Sequence, residues 1–229
     1  MLPSFGSDLN VVVIGASGGL GTAFVRLLRA SAQVATVHAL SRAELDIARS
    51  DAIAAACHAI ASPLDLVIVA TGVLHDATHR PERNLAALDA DWLAHNFAVN
   101  AAGPALVAQA LLPKLRRDRK TAFAVLSARV GSIGDNRLGG WYSYRASKAA
   151  LNQLIRTAAI EHARRNAQGL VVALHPGTVD SALSKPFQRG VNTLFNPIQS
   201  ARNLLAVLDA LTAAQSGGFF AWDGSAIEF

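Results

Sequence analysis

The sequence predicts an α/β protein: one doubly wound parallel sheet with helices on both of its faces. Three observations predict it. Short apolar runs such as Val11–Ile14 and Val34–Leu40 alternate along the chain with segments of helical length, and strands alternating with helices mean parallel βαβ units. A glycine-rich turn joins the first strand directly to the first helix. With 229 residues and no internal repeat, linker or low-complexity segment, the chain suits a single domain, 1–229, since single cores grow to roughly 250–300 residues before splitting.

The elements follow in order. Val11–Ile14 is a strand, and the glycine turn leads into a helix over about 19–30. Val34–Leu40 is the second strand. Between Leu40 and Asp46 there are too few residues for a parallel crossover, which needs about a dozen. "ELDI" at 44–47 is therefore expected to be an extended edge segment with no helix before it, the connection after the second strand being shortened. Ser50 is read as the cap of a helix to about Ala61, and Asp65–Ala70 as a strand. A long helical region covers about 91–117, with Pro104 as its kink and Pro113 as its terminus. Phe123–Ser127 is a strand, about 143–167 a helix and Leu170–Leu174 a strand. A helix capped by Asn196 starts at Pro197 and reaches about Ala214, and Phe219–Trp222 closes the sheet. Gly177 to Asn196 lacks periodicity, and a loop of that length in a compact domain reads as a substrate lid, at about 178–196.

Composition narrows the function. Hydrophobic residues make up 52% of the chain and charged residues 16%, which supports a large core and excludes a disordered chain. No apolar run approaches the ~18–20 residues of a membrane span. The opening "MLPSFGSDLN" lacks the basic and apolar regions of a secretory signal. Cys57 is the only cysteine, which rules out an internal disulfide and fits a reducing cytoplasm. The net charge of +5 raises the question of a nucleic-acid partner. The one dense basic cluster, Lys114, Arg116, Arg117, Arg119 and Lys120, follows an apolar helix, where cations complement the C-terminal dipole. It is read as a solvated helix end, and no nucleic-acid partner is expected. His75 and His79 are four residues apart but have no third ligand type nearby, so no metal site is expected.

Two motifs carry chemistry. "VVVIGASGGLG" sets Gly15, Gly19 and Gly21 between a strand and a helix, a relative of the dinucleotide-binding (Rossmann) fingerprint. Gly15 permits the sharp exit from the strand, Gly19 admits a pyrophosphate to the helix N-terminus, and Gly21 lets helix and strand pack closely. Ser17, Gly18 and Leu20 complete the turn. The second strand ends "HALSR". An acid at its tip would bind the 2′-hydroxyl of NAD, whereas arginine accommodates the 2′-phosphate of NADP. Ser41 and Arg42 occupy the tip and Glu44 lies past it, so NADP is the expected cofactor, with NAD as the alternative. The second motif is Tyr144 followed by Lys148, one helical turn apart and facing the same way. A free phenol has a pKa of ~10 and serves as an acid–base group near neutrality only beside a cation, and Lys148 would supply one.

These residues carry a resemblance. "GASGGLG", "ATG" at Ala70–Gly72, "VNAAGP" containing Asn100, "YRASK" and "HPGTV" at His175–Val179 resemble, in the same order, the motifs of the short-chain dehydrogenase/reductase family. "GSIGDNRLGGWYSYRASKAALN" and the ending "GGFFAWDG" are similar to its carbonyl-reductase-like branch, related to C-factor and sniffer. The resemblance implies hydride transfer between NADP(H) and a small carbonyl or alcohol substrate. Tyr144 would be the acid/base, Lys148 the ribose-binding tuner of its pKa, and Asn100 a helix-kink residue supporting a proton-relay water. Asp46 and Ile47 would lie near the adenine, and Ala70, Thr71 and Gly72 against the adenosine side. Pro176, Gly177, Thr178 and Val179 would lie near the nicotinamide. The family's pairing of its long helices implies a homodimer through 91–117 and 143–167. One position departs. The family ends the strand before the catalytic helix with two serines, the second of which polarises the substrate oxygen; here Ser127 matches the first and Ala128 stands at the second. Ser132, just past Gly131, is preferred over Ser127 as a substitute, since Ser127 would need a bulge to re-aim it. The missing serine also keeps open a second reading, a nucleotide-binding regulatory or signalling protein of the same fold with little turnover.

Overall fold

The computed structural model describes residues 1–229. In order, the elements are β1 (Leu9–Ile14), α1 (Gly19–Arg29), β2 (Val34–Leu40), α2 (Ser50–Ala59), β3 (Leu66–Val69) and α3 (Ala90–Phe97). A π-helical turn at Ala98–Ala102 leads into α4 (Gly103–Leu111), followed by β4 (Thr121–Leu126), α5 (Tyr142–Ala163) and β5 (Gly169–His175). The chain closes with β6 (Thr178–Val179), β7 (Leu194–Phe195), α6 (Pro197–Ala210) and β8 (Phe219–Ala221). Six strands form one sheet in the order β2-β1-β3-β4-β5-β8, and every pairing in it is parallel. The doubly wound α/β sheet expected from the alternation is the observed architecture. Its strand order reverses between β1 and β3, and in such sheets ligands bind outside the carboxyl ends of the strands at that switch point.

The period of two along each strand sorts the core into two layers. Val12 and Ile14 of β1 face a cluster built with Ile53 and Cys57 of α2, Val107 and Leu111 of α4, and Leu151 and Ile155 of α5. Val11 and Val13 face the opposite cluster, with Phe24 and Leu28 of α1 and Leu204 and Leu208 of α6. α5 therefore lies on the α2/α4 face, with one side pressed to the sheet and its N-terminus at the strands' carboxyl ends.

Three expected elements differ. "ELDI" is no edge strand: a turn closed by Leu45 N donating to Ser41 O (2.9 Å) carries the chain off the sheet, and β2 is the edge. Leu45 and Ile47 turn into the α2/α4 core layer, where both are buried, and burial of two large side chains outweighs pairing at an edge. Ser50 is the first residue of α2 rather than its cap, and Arg49 at the cap position makes no side-chain capping bond. The region 91–117 is two helices joined by the π-turn. Pro104 has no N–H to continue the ladder, and Gly103 N–H instead reaches back five residues to Ala98 O, so the break falls just ahead of the proline.

The basic cluster serves neighbouring helices rather than its own. Lys114 Nζ donates to Cys57 O (2.8 Å) and Ile60 O (2.6 Å) at the end of α2. Lys120 Nζ donates to Asp209 O (2.7 Å) and Leu211 O (2.5 Å) at the end of α6. These carbonyls are the ones a helix leaves unpaired. Arg116 and Arg119 lie 3.0 and 2.7 Å from the carboxylate of Asp65, which is fully buried at the foot of β3.

Candidate active site

At the end of β1 the chain turns at Gly15, whose φ of +82° only glycine adopts without strain. Gly15 N and Ala16 N both donate to Leu40 O of β2, at 2.8 and 3.0 Å, which ties the turn to the tip of the second strand. A Cβ on Gly21 would stand 2.0 Å from Gly15 O, so only glycine lets α1 start this close to the strand. Gly18 at the cap of α1 carries no side-chain capping bond. The first N–H groups of the helix are thus free to meet an anion, with Ser17, Gly18 and Gly19 exposed around them and Leu20 half-buried behind. Across the turn, Ala70 N donates to Ile14 O (2.8 Å), and Thr71 Oγ1 is buried without any hydrogen-bond partner. An uncapped helix start, a cradle that a Cβ would fill and an orphaned hydroxyl beside it fit the phosphate and ribose groups of a dinucleotide.

The helix that carries Tyr144 and Lys148, α5, is anchored from a distance. Trp141 precedes α5 in a left-handed conformation, φ +54°, and donates from N to Glu82 O (2.5 Å). The buried Glu82 carboxylate accepts from Ser143 N (3.2 Å) and from Ser143 Oγ. A carboxylate at a helix N-terminus satisfies free N–H groups and opposes the dipole, so Glu82 fixes where α5 begins. Sequence reasoning missed it, because it lies 61 residues from its partner and matches no local capping pattern. Gly131 then admits the helix: a Cβ there would be 2.8 Å from Lys148 Cβ.

On α5, Tyr144 is 8% exposed and Lys148 3%, and Lys148 Nζ lies 5.8 Å from the centre of the Tyr144 ring. Lys148 Nζ donates to Leu126 O of β4 (2.8 Å). Burial brings the Lys148 ammonium down to about 7, and burial also pushes the Tyr144 phenol well above its ordinary value. Asn100 sits in the π-turn with no exposed surface. Its Oδ1 accepts from Val73 N (2.9 Å), and its Nδ2 donates to Val73 O (2.8 Å) and Ser147 Oγ (3.1 Å). A Cβ on Gly72 would stand 3.5 Å from Asn100 Oδ1 and 3.7 Å from Lys148 Nζ. The structure thus gathers Gly72, Asn100, Tyr144 and Lys148 at the carboxyl ends of β3 and β4.

It does not bring the candidate serines there. Ser127 is buried and donates from Oγ to Asn152 Oδ1 (2.7 Å), its side chain turned by the pleat into α5. Ser132 follows a 3-10 turn at Arg129–Gly131 that carries the chain past Lys148. Its Oγ accepts from Asp135 N (3.1 Å), and it lines a cleft with Ala146 and Ala149, which lie on the opposite side of α5 from Tyr144. Ser127 is thus turned away, as strand alternation implied, and Ser132 Oγ hydrogen-bonds within its own loop rather than to Tyr144 or Lys148.

The tip of β2 also differs from its reading. Glu44 folds back over it: Ser41 donates from N (2.8 Å) and from Oγ to Glu44 Oε2. Arg42 is exposed. Asp46 Oδ1 accepts from Ala48 N (3.0 Å), while Ile47 is buried.

The 178–196 segment lies against the site and is partly ordered by its own pairing. Pro176 O accepts from Ser200 Oγ (2.8 Å). Gly177, at φ +74°, is pressed so close to Phe195 that a Cβ would be 2.7 Å from its ring. Thr178 and Val179 pair with Leu194 and Phe195. Phe187 stacks edge-on between His75 (5.6 Å) and Trp141 (5.0 Å), and Trp141 meets Tyr144 at 6.3 Å. His75 Nε2 lies 3.1 Å from Leu183 O, and His79 pairs separately with Asp76.

Known proteins share this fold. The family model described as short chain dehydrogenase matches residues 31–192. C-signal of Myxococcus xanthus is 38% identical over 142 residues, which cover 61% of this chain and 81% of that protein. The carbonyl reductase Sniffer of D. melanogaster superposes with a TM-score of 0.81 at 21% identity, covering 97% of this chain and 100% of Sniffer. An NADPH-bound carbonyl reductase from chicken fatty liver gives a TM-score of 0.83 at 24% identity, over 97% and 95% of the two chains. The resemblance read from the motifs is borne out: the chain belongs to the short-chain dehydrogenase family.

Proposed function

We propose that the protein is an NADP(H)-dependent reductase of small carbonyl compounds, with Tyr144 as its proton donor. One observation carries the reading: Tyr144 and Lys148 lie buried together beside Asn100 and Gly72, at the carboxyl ends of β3 and β4. The dinucleotide, held by the Gly15–Gly21 turn, Thr71 and the Pro176–Val179 segment, supplies the hydride when bound. Burial raises the Tyr144 phenol above its ordinary value, so in the reductive direction it can act as the proton donor. Tyr144 Oη protonates the carbonyl oxygen, and Lys148 Nζ holds a ribose hydroxyl and favours the phenolate left behind. Asn100 locks the loop after β3 against α5 through Val73 and Ser147, which supports a water path to the tyrosine. The NADPH bound to the chicken reductase supports the choice of nucleotide, as does the exposed Arg42.

Ala128 removes one donor to the substrate oxygen. Loss of one such donor costs ~10²–10³ in rate, so a slow enzyme is expected. The same position favours the second reading, a nucleotide-binding regulatory protein. NADPH consumption by the purified chain across a panel of aldehydes, ketones and quinones separates them. Turnover of any member supports the reductase, and nucleotide binding without consumption of any member supports the regulatory reading. A homodimer through the 91–117 region (α3 and α4) and α5, on which Leu154 and Ile160 are 41% and 51% exposed, and a cytoplasmic location suited to the single reduced Cys57 belong to the same proposal. No helix is long and apolar enough to cross a membrane.

A further inference from the structure

The sequence offers two groups at the tip of β2 for a 2′-phosphate, the donors of Ser41 and the guanidinium of Arg42, and the structure treats them differently. Ser41 N and Ser41 Oγ both donate to the same carboxylate oxygen, Glu44 Oε2. Arg42 takes part in no ion pair and no hydrogen bond to another side chain, and is exposed. The tip adjoins the glycine turn directly, since Leu40 O, one residue before Ser41, accepts from Gly15 N and Ala16 N. The turn is set by the backbone: Leu45 N donates to Ser41 O (2.9 Å), and Leu45 is buried in the core, so residue 44 is held over Ser41.

We propose that Glu44 narrows this chain's preference for the phosphorylated dinucleotide, because its carboxylate occupies the Ser41 donors that a 2′-phosphate would take. The inference rests on the reading of the glycine turn as a dinucleotide site. A phosphorylated dinucleotide must displace Glu44 from Ser41 or bind beside a like charge, with Arg42 alone to offset it. The unphosphorylated dinucleotide meets no such cost, and its ribose 2′-hydroxyl can donate to the same carboxylate, the arrangement by which acidic residues at this strand tip favour NAD. The Ser41 hydrogen bonds hold the Glu44 carboxyl below its ordinary range, so it is ionised wherever the protein is folded near neutrality. The result is a chain whose arginine favours NADPH while a carboxylate two residues on narrows that preference.

The test is binding rather than turnover. Dissociation constants for NADPH and NADH are measured by calorimetric titration for the natural protein, Glu44→Gln, Glu44→Ala and Arg42→Asp. Glu44→Gln keeps an acceptor for Ser41 N and removes the charge. It should raise the ratio of NADPH to NADH affinity about tenfold, within the range of one repulsive pair removed at a solvated site. Glu44→Ala should raise it at least as far, by freeing both Ser41 donors, and Arg42→Asp should lower it. A ratio within about twofold of the natural protein in both Glu44 variants, with binding intact, overturns the inference alone. A lower ratio in Glu44→Gln also overturns it, because the carboxylate would then be organising the phosphate site instead of opposing it. Failure of the natural protein to bind either nucleotide removes the dinucleotide site and the inference together.

Discussion

Single residues decide how much chemistry this site can do. Tyr144 and Lys148 were legible from their spacing, because two side chains four residues apart on a helix must share a face. Strand alternation already aimed Ser127 away, and Asn152 engages it; the bond that ties Ser132 Oγ to Asp135 N was not legible. Restoring the family's hydroxyl with Ala128→Ser should raise kcat for carbonyl reduction about tenfold or more, short of the full ~10²–10³ of a well-placed donor; kcat unchanged across the whole carbonyl panel would show that the oxygen is not held there. Lys148 carries a pH signature. Its folded pKa, about 7, lies below the ordinary 10.5 of a lysine, so the unfolded chain binds more protons between those values and stability rises with pH across that window. The destabilisation is complete below about pH 7 and gone above the unfolded value. Lys148→Met should therefore melt a few degrees higher than the natural protein at pH 7, with the gap closing by about pH 10; a gap independent of pH would contradict the burial argument.

At the scale of elements, what local sequence controls was readable and what distant partners control was not. Strands and helices declared themselves by period, and Asn196 capped α6 as expected, accepting from Gln199 N. The "ELDI" segment and the start of α5 depend instead on the room beside Gly103, where a Cβ would be 2.2 Å from Ile47 O, and on Glu82. The basic cluster gives the clearest lesson. Its charge suggested a solvated end of its own helix, but Lys114 and Lys120 serve carbonyls at the ends of α2 and α6, and Arg116 and Arg119 face Asp65, which no local pattern reveals. Asp65 is the centre of this lower edge, accepting from Asn10 N (2.8 Å) as well as facing two arginines. Asp65→Ala should cost about 2–3 kcal/mol in urea unfolding, below the 3–5 kcal/mol of a wholly buried pair, since the arginine side chains are 31% and 29% exposed and can rehydrate. A loss under about 0.5 kcal/mol would place the arginine contacts among surface pairs of no consequence.

The whole molecule couples these parts through one edge of the sheet. The glycine turn, the tip of β2, Gly72 with Asn100, and the N-terminus of α5 all sit at the carboxyl ends of the strands, and the 178–196 segment reaches across them. A Cβ on Gly19 would stand 3.3 Å from Ser181 Cβ, while Phe187 meets Trp141 on the other side. The segment thus borders the cradle at one end and the start of α5 at the other. The outer faces of α4 and α5 lie away from that edge, where a second copy would not block entry; light scattering at micromolar concentration should give about twice the 24.0 kDa of one chain, and a single-chain mass would remove the dimer. The central claim, that this edge reduces carbonyls with Tyr144 as proton donor, is tested most directly by Tyr144→Phe, which keeps the ring against Trp141 and deletes only the hydroxyl. NADPH-dependent turnover should fall by ~10²–10⁴ while the dissociation constant for NADPH stays within about twofold. Turnover unchanged in Tyr144→Phe would contradict the account.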